Sequence, residues 1–377
     1  ASDKDSFDDR VAWVDANINL LRKISEDPYT NSLWMDNKTT KKNTSFQRLA
    51  AINDLITAID TGFSSVPVQL DGSCNGSQHW SAIRRDPIIA NLTNVTPVDK
   101  PQDLYQFVAD ISSVEMVRRA QEEDSDWSQK FREHWGDRLS RKIVKRATMC
   151  DAYGITPHGI RKYAREEGHL DWVKNNLGPE FMAAAVNELA SLELFGLNGA
   201  MEQSNEGKRY VQYLCDEASK DDRELEWTLP GGFHVVHRYD EYEPSLCRSK
   251  LYNKQFIADA TFGVPTGDID PGSARAAVAP NFIHSFDAAH MRLAILGMMG
   301  QGITLFSMIH DSFGCPAPQV PLMRTIIKDT FYEVHQECQL DRVKEDAEQL
   351  LGRELDPTPP LGSLDIELVR GAEYLFG

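Results

Sequence analysis

The stretch VPVQLDGSCNGSQHW, residues 66–80, alternates apolar and polar side chains up to Leu70, breaks at Asp71-Gly72, and becomes small and polar beyond. Such alternation predicts a half-buried strand, and the Asp-Gly pair predicts its end. Asp71 followed by Gly72 and Ser73 sets a carboxylate beside an open backbone carbonyl. Hard divalent cations take oxygen donors of that type. A strand-to-helix turn capped by Asp71 uses the same residues, and local chemistry leaves both readings open.

Two other stretches bear on the choice. ITLFSMIHDSFG, residues 303–314, predicts strand, tight turn, strand, with Asp311 in the turn as a turn residue or a metal ligand. In RKIVKRATMCDAYG, residues 141–154, Arg141, Lys145, Met149 and Tyr153 lie four apart. Each such step drifts only about 40° around a helix, so all four share one slowly winding face. Two cations at one end can hold a polyphosphate, and a tyrosine at the other can meet a base or sugar. An ordinary solvated basic face is the plainer alternative. Gly154 lets the helix stop. Taken together, two acids from separate sheet segments can hold two divalent ions, with a basic helix beside them for a triphosphate. That combination is the chemistry of nucleotidyl transfer.

The chain has 377 residues, 41% hydrophobic and 26% charged, a globular composition with length for two or three lobes. Its formal charge is −17, the reverse of an ordinary nucleic-acid binder. RLSRKIVKR, residues 138–146, nevertheless carries five cations and no acid, and a local field of that kind attracts phosphate. No run of eighteen apolar residues predicts a membrane span, and no cationic leader with an apolar stretch predicts secretion. The six cysteines are scattered with no C-x-x-C pair, which argues against structural zinc and suits a reducing compartment. Without a leader, triplets such as Asn37-Lys-Thr read as chance.

Elsewhere, helices are expected over 8–24, 101–120, 126–152, 169–220 and 318–351, and from about Phe286 to Met299. LEWTLPGGFHVVHRYD, 225–240, reads as a hairpin, and 251–263 as a further strand. The segments 33–45 and 263–280 read as loops, the second from its Gly, Pro and Ala content. The apolar EYLFG, 373–377, should be tucked in. The fold class is α+β with a small antiparallel sheet, not a βαβ repeat.

With these residues assembled, the chain resembles the single-subunit, phage-type RNA polymerases, also found in mitochondria. DGSCNGSQHWSAI is similar to that family's motif A, RKIVKRATMCDAYG to motif B, and IHDSFG to motif C, in the same order. PQDLYQFV (101–108), WTLPGGFHV (227–235) and APNFIHSFDAAHMR (279–292) extend the likeness over most of 65–377. The resemblance implies a right-hand polymerase palm and fingers. It divides the chain into 1–65 approaching the palm, 66–100 as palm with motif A, 101–280 as fingers with motif B and a specificity-loop region, and 281–377 as palm with motif C and the C-terminal foot. It implies that Asp71 and Asp311 bind two Mg2+ ions with help from the Gly72 carbonyl, and that Ser73 lies in the nucleotide site. Arg141 and Lys145 would bind the triphosphate, with Lys145 protonating pyrophosphate. Tyr153 would monitor the ribose with His284, supported by Tyr105, and His310 would touch the RNA 3′ end. Lys23 loosely matches a basic residue at the outer phosphates.

The related DNA polymerases place a glutamate five residues beyond the motif A aspartate, where this chain has Gly76, and read HDE where this chain has HDS. Both departures favour ribonucleotides. Family members are more than twice as long, and this sequence resembles the larger, catalytic subunit of the two-chain RNA polymerase of N-four-type bacteriophages. The implied partners are a DNA template, nascent RNA, rNTPs, a second chain bringing the N-terminal domain and thumb, and a single-stranded-DNA-binding or recruitment factor, all in the cytoplasm of an infected bacterial host. The segment 224–262, where the family carries its specificity loop, reads as short, so weak duplex promoter recognition is expected. A DNA polymerase or primase, a non-catalytic nucleic-acid-binding subunit and a metal-dependent nuclease are the competing readings. The nuclease would not need the Lys145–Tyr153 helix, and the binding subunit would not need both acids.

Overall fold

The computed structural model describes residues 5–35, 44–122, 125–251 and 256–377, and only the backbone of 248–251 and 256–260. Part of the expected 33–45 loop, the Asn37 triplet and the middle of the 251–263 strand lie outside the described residues. The chain opens with α1 (Phe7–Glu26) and α2 (Ser45–Thr61), then β1 (Pro67–Asp71), α3 (Asn75–Arg84) and α4 (Pro87–Leu92). A helical layer follows: α5 (Leu104–Glu122), α6 (Asp126–Trp135), α7 (Arg141–Asp151), α8 (Pro157–Glu166), α9 (Asp171–Asn176), α10 (Met182–Ala200) and α11 (Glu202–Lys220). Two hairpins come next, β2 (Leu225–Leu229) with β3 (Phe233–His237), and β4 (Asp240–Leu251) with β5 (Phe256–Ile269). The chain closes with α12 (Pro271–Gly300), β6 (Ser307–Ile309), β7 (Ser312–Pro316), α13 (Val320–His335) and α14 (Gln339–Leu351). The architecture is helix-rich α+β with small antiparallel sheets, and among the described residues no helix is long and apolar enough to cross a membrane.

Two expectations are corrected. Residues 263–280 are not a loop: β5 runs to Ile269 and α12 begins at Pro271. Asp270 caps that helix by accepting from Ser273 N–H, Pro271 occupies the first turn where its missing N–H costs nothing, and the Ala-rich run that follows is a strong helix former. The helix therefore starts fifteen residues ahead of Phe286 and carries Pro280 inside it. Nor is the 224–262 region short. β4 and β5 form an antiparallel ribbon of 12 and 14 residues, on the order of 40 Å long at the usual strand rise.

Position in the fold is set by α3. All ten of its residues are buried, although six are polar or charged by type. Buried polar groups are tolerated when hydrogen-bonded, and Gln78, Trp80 and Arg84 of α3 make such bonds, while Asn75 Oδ1, Gln78 Oε1 and His79 Nε2 are buried without a partner among the described residues. Gln78 donates to the carbonyls of Thr93 and Leu375, Trp80 to Ala152, and Arg84 to Gln203, Pro359 and Pro360. On one side Trp80 packs with Phe282, Phe286, Trp227 and α11. On the other, Ala82 joins the layer of Leu70, Phe313, Phe331 and Phe376. The layer of α5, α6, α7, α8 and α10 has its own core around Phe131, Val144 and Leu189.

Candidate active site

β1 lies antiparallel to β7 with Asp71 opposite Ser312, and β7 is joined to β6 by the two-residue turn His310-Asp311. Register therefore carries Asp71 and Asp311 to the same end of one sheet, although they are far apart in sequence. A Cβ built on Gly72 would stand 3.3 Å from Asp311 Oδ2 and 3.2 Å from Asn75 Cβ, so a bare backbone is what lets Asp311 lean over this point. Burial first, and then the Asp311 charge, push the Asp71 carboxyl above its usual range. Backbone conformation is unusual on both sides, with φ of 92° at Cys74 and 54° at His310, and strain of this kind clusters at functional sites.

The C-terminal residues buttress this end of the sheet. Gly72 bridges to Phe376, the Gly377 N–H donates to the Asp71 carbonyl at 3.0 Å, and Ser73 Oγ donates to the Tyr374 carbonyl at 3.2 Å. EYLFG is tucked in as its apolar character demanded, with Tyr374, Leu375 and Phe376 buried.

The facing wall is α7, capped by Ser140, whose Oγ accepts from Lys142 N–H. Arg141 Nε lies 2.7 Å from Asp103 Oδ2. The Tyr105 ring sits beneath both cations, 5.3 Å from the Arg141 guanidinium carbon and 5.6 Å from Lys145 Nζ. At the far end Tyr153 stacks on His284 with ring centroids 4.6 Å apart, and burial drives its hydroxyl pKa upward. A Cβ on Gly76 would stand 2.6 Å from Ala152 Cβ and 3.1 Å from Tyr153 Cζ. Gly76 is thus the floor on which the tyrosine rests. Burial, and then His310, lower the His284 pKa.

Asp71, Gly72, Ser73, Tyr105, Arg141, Lys145, Met149, Tyr153 and Asp311 line one cleft of about 540 Å³. That volume lies in the range that holds a small ligand. His284 and His310 adjoin it through Tyr153 and Asp311. Lys23 stands apart, in the last turn of α1. Sequence reasoning missed three members. Asp103 orients Arg141 and caps α5 by accepting from Tyr105 and Gln106 N–H, and its signal was the D-x-x-Q spacing of a helix start. Asn75 and Asp287 form a hydrogen-bonded pair beside Asp311. Burial and the Asp311 charge raise Asp287 to about 6, with the Asn75 bond acting against them. No local pattern in FIHSFDAAH marks Asp287.

The donor chemistry here suits a hard cation: two carboxylates, one raised in pKa by burial and then by the other's charge, beside backbone oxygen. Among the described residues no group of three or more His, Cys, Asp and Glu side chains gathers to hold a metal. A cation at this end would therefore keep most of its coordination for water and phosphate oxygen, as Mg2+ does.

Residues 1–357 match the sequence model of a family described as DNA-dependent RNA polymerase. Over 99% of its length the chain is 27% identical to a mitochondrial DNA-directed RNA polymerase of Schizosaccharomyces pombe and covers 35% of that protein. It is 28% identical over 99% of its length to mitochondrial DNA-directed RNA polymerase 1 of Arabidopsis thaliana, covering 38% of it. A chloroplastic DNA-directed RNA polymerase 3 of Nicotiana sylvestris is similar at 28% identity, with 98% of this chain and 37% of the relative covered. The chain thus spans little more than a third of the length of these relatives. By the family match along nearly all of its residues, it belongs to the single-subunit, phage-type family of DNA-dependent RNA polymerases.

Proposed function

We propose that this chain is the catalytic subunit of a DNA-directed RNA polymerase, adding ribonucleotides from rNTPs to an RNA 3′ end on a DNA template. The observation that carries the reading is the meeting of Asp71, Asp311, Arg141, Lys145 and Tyr153, from three distant segments, around one cleft. When bound, two Mg2+ ions supply activation of the 3′-hydroxyl and stabilisation of the leaving oxygen, and Asp71, Asp311 and the Gly72 carbonyl are the groups that would hold them. Arg141, steadied by Asp103, and Lys145, over Tyr105, face the triphosphate as a fork and a point charge. Lys145 gives its proton to the departing pyrophosphate as the bond from the α-phosphorus to its bridging oxygen breaks. Tyr153, seated on Gly76 and stacked on His284, meets the ribose. His310, in its left-handed turn, meets the 3′ end.

In this reading the palm contains 66–100 and 281–377 and the fingers 101–280. The enzyme works in the cytoplasm of a phage-infected bacterium on phage genes, with a second chain bringing the N-terminal domain and thumb, and with a single-stranded-DNA-binding or recruitment factor. Tyr29, Phe46 and Phe63, 92%, 76% and 67% exposed on and around α1 and α2, are apolar side chains that a second chain would cover. The test is extension of a labelled RNA primer on DNA with Mg2+ and either rNTPs or dNTPs, using protein from its native source, with mass spectrometry of what co-purifies. Extension with rNTPs that disappears in Asp311→Asn is expected. Absence of extension despite a stoichiometric partner would make the chain a binding subunit instead.

A further inference from the structure

The C-terminal end of α7 is held from behind by groups that the cleft does not use. Lys208 on α11 is buried, and its Nζ donates to the Asp151 carbonyl and to Asp151 Oδ2, both at 2.8 Å. One residue later the Ala152 carbonyl accepts from Trp80 Nε1 at 2.9 Å. The next residue is Tyr153. The neighbouring Gly207 explains how both clamps reach the same turn: a Cβ there would lie 2.6 Å from Trp80 Cζ3, so α11 seats directly on α3. Tyr153 in turn rests on Gly76, from the first turn of α3, and on His284 from α12.

An ammonium at a helix C-terminus meets the negative end of the helix dipole. A buried ion pair contributes little net stability against an apolar pair of the same shape, and its best-attested use is to fix one register. Here the register fixed is that of residues 151–153.

Resting on the polymerase reading above, we propose that Lys208 is a positioning residue for sugar discrimination. By pinning Asp151 it holds Tyr153 at one distance from Gly76 and His284, and so sets the preference for ribo- over deoxyribonucleoside triphosphates.

The experiment compares single-nucleotide extension with rNTP and dNTP for the wild type, Tyr153→Phe, Lys208→Arg and the double variant Lys208→Met/Asp151→Leu, each with its co-purifying chain. The double variant removes both charges, so neither is left buried alone and the fold is retained. Its ratio of kcat/KM for rNTP over dNTP should fall about 10-fold, the scale of a sub-ångström misplacement at a reacting centre, and Lys208→Arg should recover part of the loss. A role confined to stability would lower melting temperature and leave the ratio alone. A folded double variant with the wild-type ratio, while Tyr153→Phe loses it, overturns the proposal. If the wild type extends no primer, or Tyr153→Phe leaves the ratio unchanged, the reading of the cleft fails on its own account. The clamp is then read by hydrogen exchange at the Tyr153 and Gly154 amides: faster exchange in the double variant supports it, and unchanged protection overturns it.

Discussion

Acid should unfold this protein in an unusually early pH window. His79, His290 and His335 meet in the layer between α3, α12 and α13, against Phe286 and Phe331. His79 Nδ1 and His335 Nε2 lie 2.8 Å apart, which suits one proton between them; a second sets two N–H groups head to head. His290 Nε2 donates to the Ile327 carbonyl at 2.8 Å. Burial pulls all three below the ordinary imidazole value of 6.5, His290 to about 4. Repulsion within the cluster acts the same way on His79 and His335, and Arg85 adds to it at His335. Because the folded values are depressed, the unfolded chain takes up protons that the native state refuses. Stability is therefore full above pH 6.5 and falls as pH drops toward the folded values. For His290 alone the loss between pH 7.5 and 5 is about 2 kcal/mol. Asp287 works with the opposite sign. Its folded value of about 6 stands above the ordinary 3.8, so the native state binds its proton first and regains about 1 kcal/mol over the same range. Asp71 and Glu193, also raised by burial, act with Asp287, and against these three the imidazoles' own share of the slope between pH 6.5 and 5.5 should exceed the ~1.4 kcal/mol per pH unit of a single proton. Urea unfolding followed by tryptophan fluorescence measures the net slope. His290→Gln, which keeps a donor for Ile327 but cannot titrate, should reduce the slope by one proton. An unchanged slope in that variant would refute the reasoning.

Gly207→Ala should destabilise the protein by about 1–3 kcal/mol, because its Cβ would meet Trp80 at 2.6 Å and Arg84 Cδ at 2.9 Å, two fully buried side chains with no room to yield; an unchanged urea midpoint would contradict that packing. Phe376→Ala should cost about 3–5 kcal/mol, since the ring is buried against Phe313 and His290 and its backbone bridges to Gly72, and thermal melting reads the loss. Gly76→Ala should displace Ala152 and Tyr153, so primer extension should lose sugar discrimination even where the variant melts within a few degrees of the wild type.

Local chemistry made the strands around Asp71 and Asp311 legible, because alternation and an Asp-bearing turn are short-range signals and the apolar tail had to be covered. The four-residue spacing put Arg141, Lys145 and Met149 on one face of α7, since helical geometry fixes it, and Tyr153, two residues past its end, lines the same cleft. The 263–280 segment misled because Gly, Pro and Ala were counted as breakers, whereas Pro271 and Asp270 occupy the positions where a helix start prefers them. The length of the β4–β5 ribbon was missed because its pairing is spread over many weak local preferences. Asp287 and Lys208 were invisible for a different reason. Each acts across elements distant in sequence, through a contact that no spacing rule encodes.

A ribosome releases the Asp71 segment long before anything that completes it. Tyr374, which accepts from Ser73, follows by 301 positions. At roughly 5–20 residues per second that is roughly 15–60 s of waiting. The helical core from Ile89 to Met201 is contiguous in the chain and can close during that interval. The end of the sheet that bears the two acids cannot. Ribosomes that stall or terminate before Tyr374 therefore leave products with a well-formed helical layer and an unbuttressed Asp71–Asp311 end of the sheet: folded debris that occupies chaperones and proteases.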